Sequence, residues 1–570
     1  MNIRTINKGL VSLALGVVML ASCSTLKPLK SDLVSVDPQP LELRGGKVPA
    51  TITLNIPAKW FNKNAVVRIT PVLKHPMGQQ WGTAYTFQGE KVRGNARTVA
   101  YSDPTTLTLN SDFNWSPEYL KSNLYLMFNA TVNGREVQLP DLKIGEGVLA
   151  TEALASADYV TPAIAPDGFQ RVIKEKFDAD IHFLIQQANL RASELRSGDL
   201  KAWKEIIENA DYAPNQSVDV EVQAYASPDG GLELNEKLAA QREKNTSDYL
   251  KRELKRMDVD APVAAYYTAQ DWEGFKELVE ASDLQDKDLV LRVLSMYPDP
   301  EVREREIKNI SAVYSQLTDV ILPKLRRSRL IANIETIGKS DAEILDLARL
   351  SPERLTIEEL LYAATLTNDT DEKRGFYNKV TAIYPDDYRA YNNLAALAFE
   401  AGNIGRAEEL LGTASAKSQS KSVNNPQALL LNQGLLQLRA GNVDQAKTLL
   451  GQVSDLDNVN EAMGLLHLQD GDYAAAASEL RDTATNNGIL AQILNKNYAR
   501  AAELLGLISA PDAVTHYLKA IIGARTGDTS LIQEGLTAAL QADPTLSSRL
   551  RNDREFARYL TMPFFSALLK

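Results

Sequence analysis

Between Val218 and Leu250 one arginine, Arg242, follows a turn that holds one acid, Ser227-Pro228-Asp229-Gly230-Gly231. A planar guanidinium grips a carboxylate in bidentate fashion. An acid or carbonyl in the turn holds an ammonium, so the pair has the groups to take a zwitterion. The alternative is a solvated arginine paired with Glu243 or Asp248. Two elements must position these groups. Val218, Val220, Val222, Ala224 and Ala226 alternate with polar residues, the period of a half-buried strand. The Ser-Pro-Asp-Gly-Gly turn stops that strand. From Leu234 the period becomes helical, with Leu238, Arg242, Thr246 and Tyr249-Leu250 on neighbouring faces.

This strand, loop and helix resemble the OmpA-like peptidoglycan-binding domain. The family signature reads Thr-Asp-x-x-Gly, then Asn, then Leu-Ser-x-x-Arg-Ala, then Tyr-Leu near the helix end. Ala226-Ser227-Pro228-Asp229-Gly230 matches the loop, Asn235 the asparagine, Leu238 and Arg242 the leucine and arginine, and Tyr249-Leu250 the helix end. The resemblance implies a peptidoglycan stem peptide as ligand, with its diaminopimelate carboxylate on Arg242 and backbone amides of the loop assisting. The chain departs at one point. The family aspartate aligns with Ser227, and Asp229 is the only acid left in the loop. Losing one charge-assisted hydrogen bond costs about 1.5–3 kcal/mol, about ten- to a hundredfold in affinity. Weakened, altered and absent wall binding all remain open.

The rest of the chain places this module among others. Its 570 residues exceed one core and suggest three or four domains. A net charge of −11 without a long basic run argues against nucleic acid. The single cysteine, Cys23, rules out an internal disulfide framework or a cysteine-built metal cluster. Arg4 and Lys8, an apolar run from Gly9 to Leu20, and Leu20-Ala21-Ser22-Cys23 read as a signal peptide over 1–22. The last four residues match the bacterial lipoprotein box, which implies lipidation of Cys23 and a lipid anchor in a membrane. Ser24-Thr25-Leu26-Lys27 lacks the inner-membrane aspartate and the acidic export run of some lipoproteins, which favours the periplasmic face of the outer membrane.

Residues 23–147 read as an N-terminal β-sandwich. Thr51–Ile56 and Val67–Thr70 alternate, Leu124–Phe128 reads as a strand buried on both faces, and Asn133-Gly134 is a hairpin signal. Trp60, Trp81 and Trp115 suit either packing or a carbohydrate platform. Residues 147–168, rich in Ala, Thr and Pro, read as a linker.

The central α+β OmpA-like domain would span 168–338. Its first strand falls at Ile181–Ile185, and its first helix at Gly198–Asn209 with Ser197 or Asp199 as cap. A later strand falls at Val263–Tyr267 and the last at Leu325–Ile331, with a helical insertion at about 271–322. The pieces Asp-Trp-Glu-Gly-Phe and Leu-Pro-Lys-Leu-Arg-Arg-Ser look like those of OmpA-like proteins in the Bacteroidetes. His182 reads as a packed strand residue.

Over 340–570 the pattern is helical. Tyr391, Leu394, Ala395, Ala398, Gly402, Ala407 and Leu411 resemble a tetratricopeptide repeat. Gly434, Gly441 and Ala446, then Gly464, Gly471 and Ala476, repeat the scheme, and Ala491 with Ala501 and Ala520 with Gly527 suggest further units. Stacked units imply an all-α solenoid whose concave face binds envelope proteins. Asn392, Asn393 and Gln433 on first helices are candidate contacts, able to take peptide backbone or carboxylate groups. No Walker loop, HExxH, GxSxG or CxxC occurs, so neither enzyme chemistry nor a cofactor or metal is expected. The expectation is an outer-membrane lipoprotein scaffold that tethers the membrane to peptidoglycan and recruits proteins through its repeats. The alternative is an envelope assembly or secretion-associated protein whose OmpA-like module no longer binds the wall.

Overall fold

The computed structural model describes residues 26–569 apart from 285, 310 and 455; the expected signal peptide and Cys23 lie outside the described residues. Two compact units emerge. One combines the residues up to Pro166 with those from Asp369 onward, and the other is Asp167–Asn368. Among the described residues no helix is long and apolar enough to cross a membrane.

The first unit begins with β1 (Val34–Asp37), β2 (Leu41–Glu42), β3 (Lys47–Ile56), β4 (Ala65–His75), β5 (Gly78–Trp81), β6 (Tyr85–Gly89), β7 (Arg97–Val99), β8 (Thr105–Asn114), β9 (Asn123–Val132), β10 (Arg135–Gln138), β11 (Leu142–Glu146) and β12 (Val148–Leu149). One sheet runs β1-β3-β8. A larger one runs β10-β9-β4-β6-β7, with β5 on β4 and β11 on β9. Alternation turns Val48, Ile52 and Leu54 of β3 inward, and Val67 and Ile69 of β4 with Leu124 and Leu126 of β9, into one core. The β9–β10 hairpin turns on Asn133 and Gly134, both at positive φ.

The expectation that Leu124–Phe128 is buried on both faces is corrected. β9 alternates, and Tyr125 and Met127 are half-buried on the outer face, where Lys74 lies 4.9 Å from the Tyr125 ring centre. Long side chains, not a second layer, cover that face. Trp60 packs beside Phe61 and Trp115 beside Tyr119 against the core, whereas Trp81 is exposed.

The second unit is built on a four-stranded sheet, order β13-β16-β14-β15. Its strands are β13 (Val172–His182), β14 (Gln216–Tyr225), β15 (Val263–Thr268) and β16 (Arg327–Ile337). β14 is central, antiparallel to β16 and parallel to β15. Helices α1 (Gly198–Tyr212) and α2 (Leu232–Met257) cover the face formed by Val218, Val220, Val222, Leu330 and Ala332. Ser197 caps α1 by accepting from Leu200 N.

The first strand differs from the one expected at 181–185. It runs from Val172 and ends at His182. Its first half, Val172–Lys176, is exposed edge strand without an apolar period, whereas Phe177, Ala179 and Ile181 alternate toward the core. Between β15 and β16 lie α3 (Trp272–Glu280), α4 (Lys287–Met296), α5 (Pro300–Asn309), α6 (Ser311–Gln316) and α7 (Leu322–Leu325). These helices share a small core of their own, including Phe275, Val279, Ile307 and Leu322.

Helices α8 (Asp341–Leu350) and α9 (Ile357–Ala363) group with this unit, not with the repeats expected to start at 340. Their contacts explain it. Arg171 pairs with Asp341, Phe169 stacks on Tyr362 at 4.4 Å, and Lys339 meets Glu359 at 2.9 Å.

The first unit resumes with α10 (Thr370–Ile383), which packs on the first of five helix pairs. These are α11 (Tyr388–Glu400) with α12 (Ile404–Ser420), α13 (Gln427–Arg439) with α14 (Val443–Leu450), α15 (Val459–Gln469) with α16 (Tyr473–Glu479), α17 (Asn486–Leu494) with α18 (Tyr498–Leu507), and α19 (Ala513–Thr526) with α20 (Thr529–Ala542). The first helices of the pairs touch one another in order, so they form one continuous face.

Close crossings are built on small residues. A Cβ on Gly464 would stand 2.2 Å from Leu480 Cγ. Four pairs turn on a positive-φ glycine, and the α17–α18 turn places Lys496 at φ 64° instead. An L-residue pays there for its Cβ, so Lys496→Gly is expected to stabilise the first unit by about 0.5–1 kcal/mol, read as a raised urea midpoint with unchanged slope. An unchanged or lowered midpoint would show that the turn carries no such strain.

Candidate functional site

The turn after β14 gathers four of the expected site residues. Asn235, on the first turn of α2, donates to the carbonyls of Ser227 at 3.0 Å and Gly230 at 2.8 Å. Gly230 must approach closely, since a Cβ there would stand 3.0 Å from Asn235 Oδ1. Ser227 Oγ donates to Asp229 at 2.5 Å.

The acid is not left unmatched. Arg326, just before β16, donates to Asp229 Oδ2 at 3.1 Å and to Ser227 Oγ at 3.3 Å. Lys308 of α5 reaches the Asp229 carbonyl at 3.4 Å. Pro228 and Asp229 also face Trp272, Phe275, Ile307, Tyr314 and Leu322, so the inserted helices roof the turn. Arg326 is a site residue that sequence reasoning passed over. The strand expected over Leu325–Ile331 includes it, whereas β16 begins only at Arg327, and its visible signal is its place in a run of basic residues.

Arg242 behaves differently from both roles considered for it. It is fully buried. Nε donates to Gln187 O at 2.9 Å, Nη1 to Tyr225 O at 2.8 Å and Nη2 to Leu184 O at 3.3 Å, and the guanidinium lies 4.9 Å from the Phe183 ring centre. Burial, and secondarily the positive charge of Arg326, pushes its pKa down to about 10, so the group stays charged at neutral pH. Arg242 is thus neither a solvated partner of Glu243 or Asp248 nor a cation open to an incoming carboxylate. It ties α2 to two chain segments, the turn over 184–187 and the end of β14, through three carbonyls. Asn245 adds a further tie to the first of these, to Ala188 O at 2.8 Å. His182 lies at the end of β13 with Nδ1 3.6 Å from Glu194. Among the described residues no cluster of three His, Cys, Asp or Glu side chains could hold a metal ion.

A second constellation lies in the first unit. The segment expected to be a free linker after Gly147 is instead a strap laid along the first helices of the repeats. Asn432 of α13 accepts from Ala163 N at 2.7 Å and donates to Ala163 O at 2.8 Å. Asn393 of α11 does the same for Ala165, at 2.7 and 3.2 Å, and Asn487 of α17 for Ser156, at 3.0 and 2.7 Å. Thr161 N donates to Glu461 of α15 at 2.7 Å, and Asn458 donates to Thr161 O at 2.6 Å. Asn392 adds a bond to Ala163 O at 3.1 Å.

Ala157, Val160, Ala163 and Ala165 are buried beneath this ladder. Glu152 holds the start of the strap, accepting from Gly45 N at 2.9 Å and Tyr473 Oη at 2.6 Å, although burial pushes its carboxyl up. Of the polar first-helix residues singled out, Asn392 and Asn393 reach the strap and Gln433 does not. Gln433 lines a separate cavity of about 580 Å³ with Ile404, Leu411 and Leu449. The neighbour, Asn432, does the work expected of it. A register signal exists: Asn393 and Asn432 each stand nine residues before a turn glycine (402−393 and 441−432).

No protein-family model matches the chain, and no curated protein matches it. Among solved structures it is similar to a tetratricopeptide repeat protein from Parabacteroides merdae, at 14% identity and a TM-score of 0.27 over 38% of this chain and 90% of that one. It is similar to pilF of Pseudomonas aeruginosa, at 17% identity and a TM-score of 0.28 over 39% of this chain and 100% of that one. It is also similar to the APC/C hetero-tetramer Cut9–Hcn1, at 16% identity and a TM-score of 0.30 over 52% and 57% of the two chains. Likenesses of this size are ones of outline alone.

Proposed function

We propose that the chain is a non-enzymatic scaffold of the cell envelope, lipid-anchored through Cys23 on the periplasmic face of the outer membrane. In this reading a membrane-proximal β-sandwich is followed by an OmpA-like module and a tetratricopeptide-like solenoid, and the protein holds other envelope proteins together without binding peptidoglycan. One observation carries the choice against a wall tether. The groups that would take a zwitterionic stem peptide are already matched within the chain, Arg242 by three carbonyls and Asp229 by Arg326. A ligand would have to replace contacts of comparable strength, and little binding energy would remain.

The test is sedimentation of the full-length protein with purified sacculi. The wild type is expected to stay in the supernatant, and so is Ser227→Asp. Co-sedimentation that a diaminopimelate-containing muropeptide competes away, and that Asp229→Ala weakens, would restore the tether. For the anchor, Cys23→Ser is expected to leave the membrane fraction, and a variant that stays through detergent-free washes would sink lipid anchoring.

A further inference from the structure

The strap is held in a way that carries information about what else the same face would hold. Four side-chain sets, on α17, α15, α13 and α11, each satisfy both the N–H and the C=O of one strap residue: Ser156, Thr161, Ala163 and Ala165. An asparagine amide presents one acceptor and a pair of donors, so it pairs with an extended backbone as a neighbouring strand would. Recognition of this kind reads the backbone, not the side chains.

Side-chain selection comes only from space. Ala157, Ala163 and Ala165 are each at most 3% exposed, so a charge or a large side chain at those positions would be buried without a partner. Between them, Thr161 and Ile164 are not enclosed. Two adjacent side chains within the strap add further ties. Tyr159 Oη donates to Asp512 at 2.9 Å, and Asp158 pairs with Arg439 at the surface. The strap is flanked by Gly147 and Gly168, both at positive φ, a conformation glycine takes without strain.

We propose that the asparagine-lined face of α11, α13, α15 and α17 is a backbone-reading peptide site that Ser156–Ala165 occupies as a tethered competitor. A protein partner enters it by displacing the strap with an extended, uncharged segment of small residues. This deepens the scaffold reading and rests on it only for the existence of a protein partner. A tethered ligand competes at an effective concentration of order millimolar, so the wild-type site is closed to all but segments that outbid the strap.

The probe is a labelled peptide with the sequence of residues 154–167, added to the full-length protein. In the variant Ala163→Glu with Ala165→Glu the two charges keep the strap out of the face while every groove side chain is untouched. That variant is expected to bind the peptide about a hundredfold or more tighter than the wild type does. Adding Asn393→Ala and Asn432→Ala to it should abolish binding, and a peptide carrying the same two glutamates should not bind. A folded strap-excluded variant that ignores the peptide overturns the proposal.

Hydrogen exchange of the unmodified protein gives a second readout that needs no variant. The amides of Ala163 and Ala165 are expected to exchange through local opening, faster than the core amides of α11 and α13. Exchange at the same rate as those helices would show that the strap never leaves, and would also overturn the proposal. Sedimentation with sacculi reads the wall question separately, so neither result can stand in for the other.

Discussion

Arg242→Ala is expected to remove about 3–5 kcal/mol from the second unit, a loss large enough to unfold it at moderate temperature. The side chain is fully buried, and its guanidinium is the hydrogen-bond partner of the Leu184, Tyr225 and Gln187 carbonyls. Truncation removes the charged donor from the Gln187 and Tyr225 carbonyls, leaves Leu184 O with Gln187 N alone, and opens a cavity beside Phe183. Arg242→Lys keeps a charge but presents a point donor where a planar fork spans three acceptors, so it should recover only part of the loss. The measurement is urea unfolding followed by the fluorescence of Trp203, which is buried in the core of the same sheet. Signals from the first unit are followed apart from it, because a chain with two units need not unfold in one step. A loss below about 1 kcal/mol would show that the three carbonyls find water or other donors and that Arg242 does not hold these segments together. The same result bears on any wall-binding assay: loss of binding in Arg242→Ala would report lost structure, which is why Asp229→Ala is the sharper variant.

Asn432→Ala should be the most damaging single change on the repeat face, at about 2–4 kcal/mol in the first unit. It orphans the N–H of Ala163, leaves the Ala163 C=O to Asn392 alone, and removes the donor to Asn392 Oδ1 at 3.0 Å. Asn432→Asp keeps an acceptor for Ala163 N but sets a carboxylate against two oxygens, so it should be no better. Gln433→Ala, one residue along, is expected to change stability by no more than about 0.5 kcal/mol. Thermal unfolding and limited proteolysis across 154–167 read both effects. Equal behaviour of the two variants would mean that the strap is not held by the asparagine ladder.

The contrast between Asn432 and Gln433 shows where sequence reading stops. A helical position advances by about 100° per residue, so knowing that a polar residue lies on a first helix does not say which of two neighbours faces the strap. The strap itself carries no local sign of its role. Small and Pro-containing segments look like linkers by composition, and Ala163 meets Asn432 across 269 residues of chain. The first half of β13 was hidden for a related reason, because the exposed stretch Val172–Lys176 is held by its ladder to β16 and only Phe177, Ala179 and Ile181 alternate toward the core.

What local chemistry specifies was legible. Period-2 alternation, turn residues and helical spacing identified β14, its turn and α2 in order, and the small residues of the helix pairs marked their crossings. These patterns depend on neighbours within a few residues, so the chain states them directly. The partners of Arg242 and Asp229 are a matter of tertiary structure alone. Leu184, Gln187 and Arg326 lie 58, 55 and 97 residues from the groups they meet, and a motif records which residues could bind a ligand without recording that the fold has already supplied one. Long-range closure decided that the cation and the acid face inward, because burying either without a partner would cost more than the fold could spare.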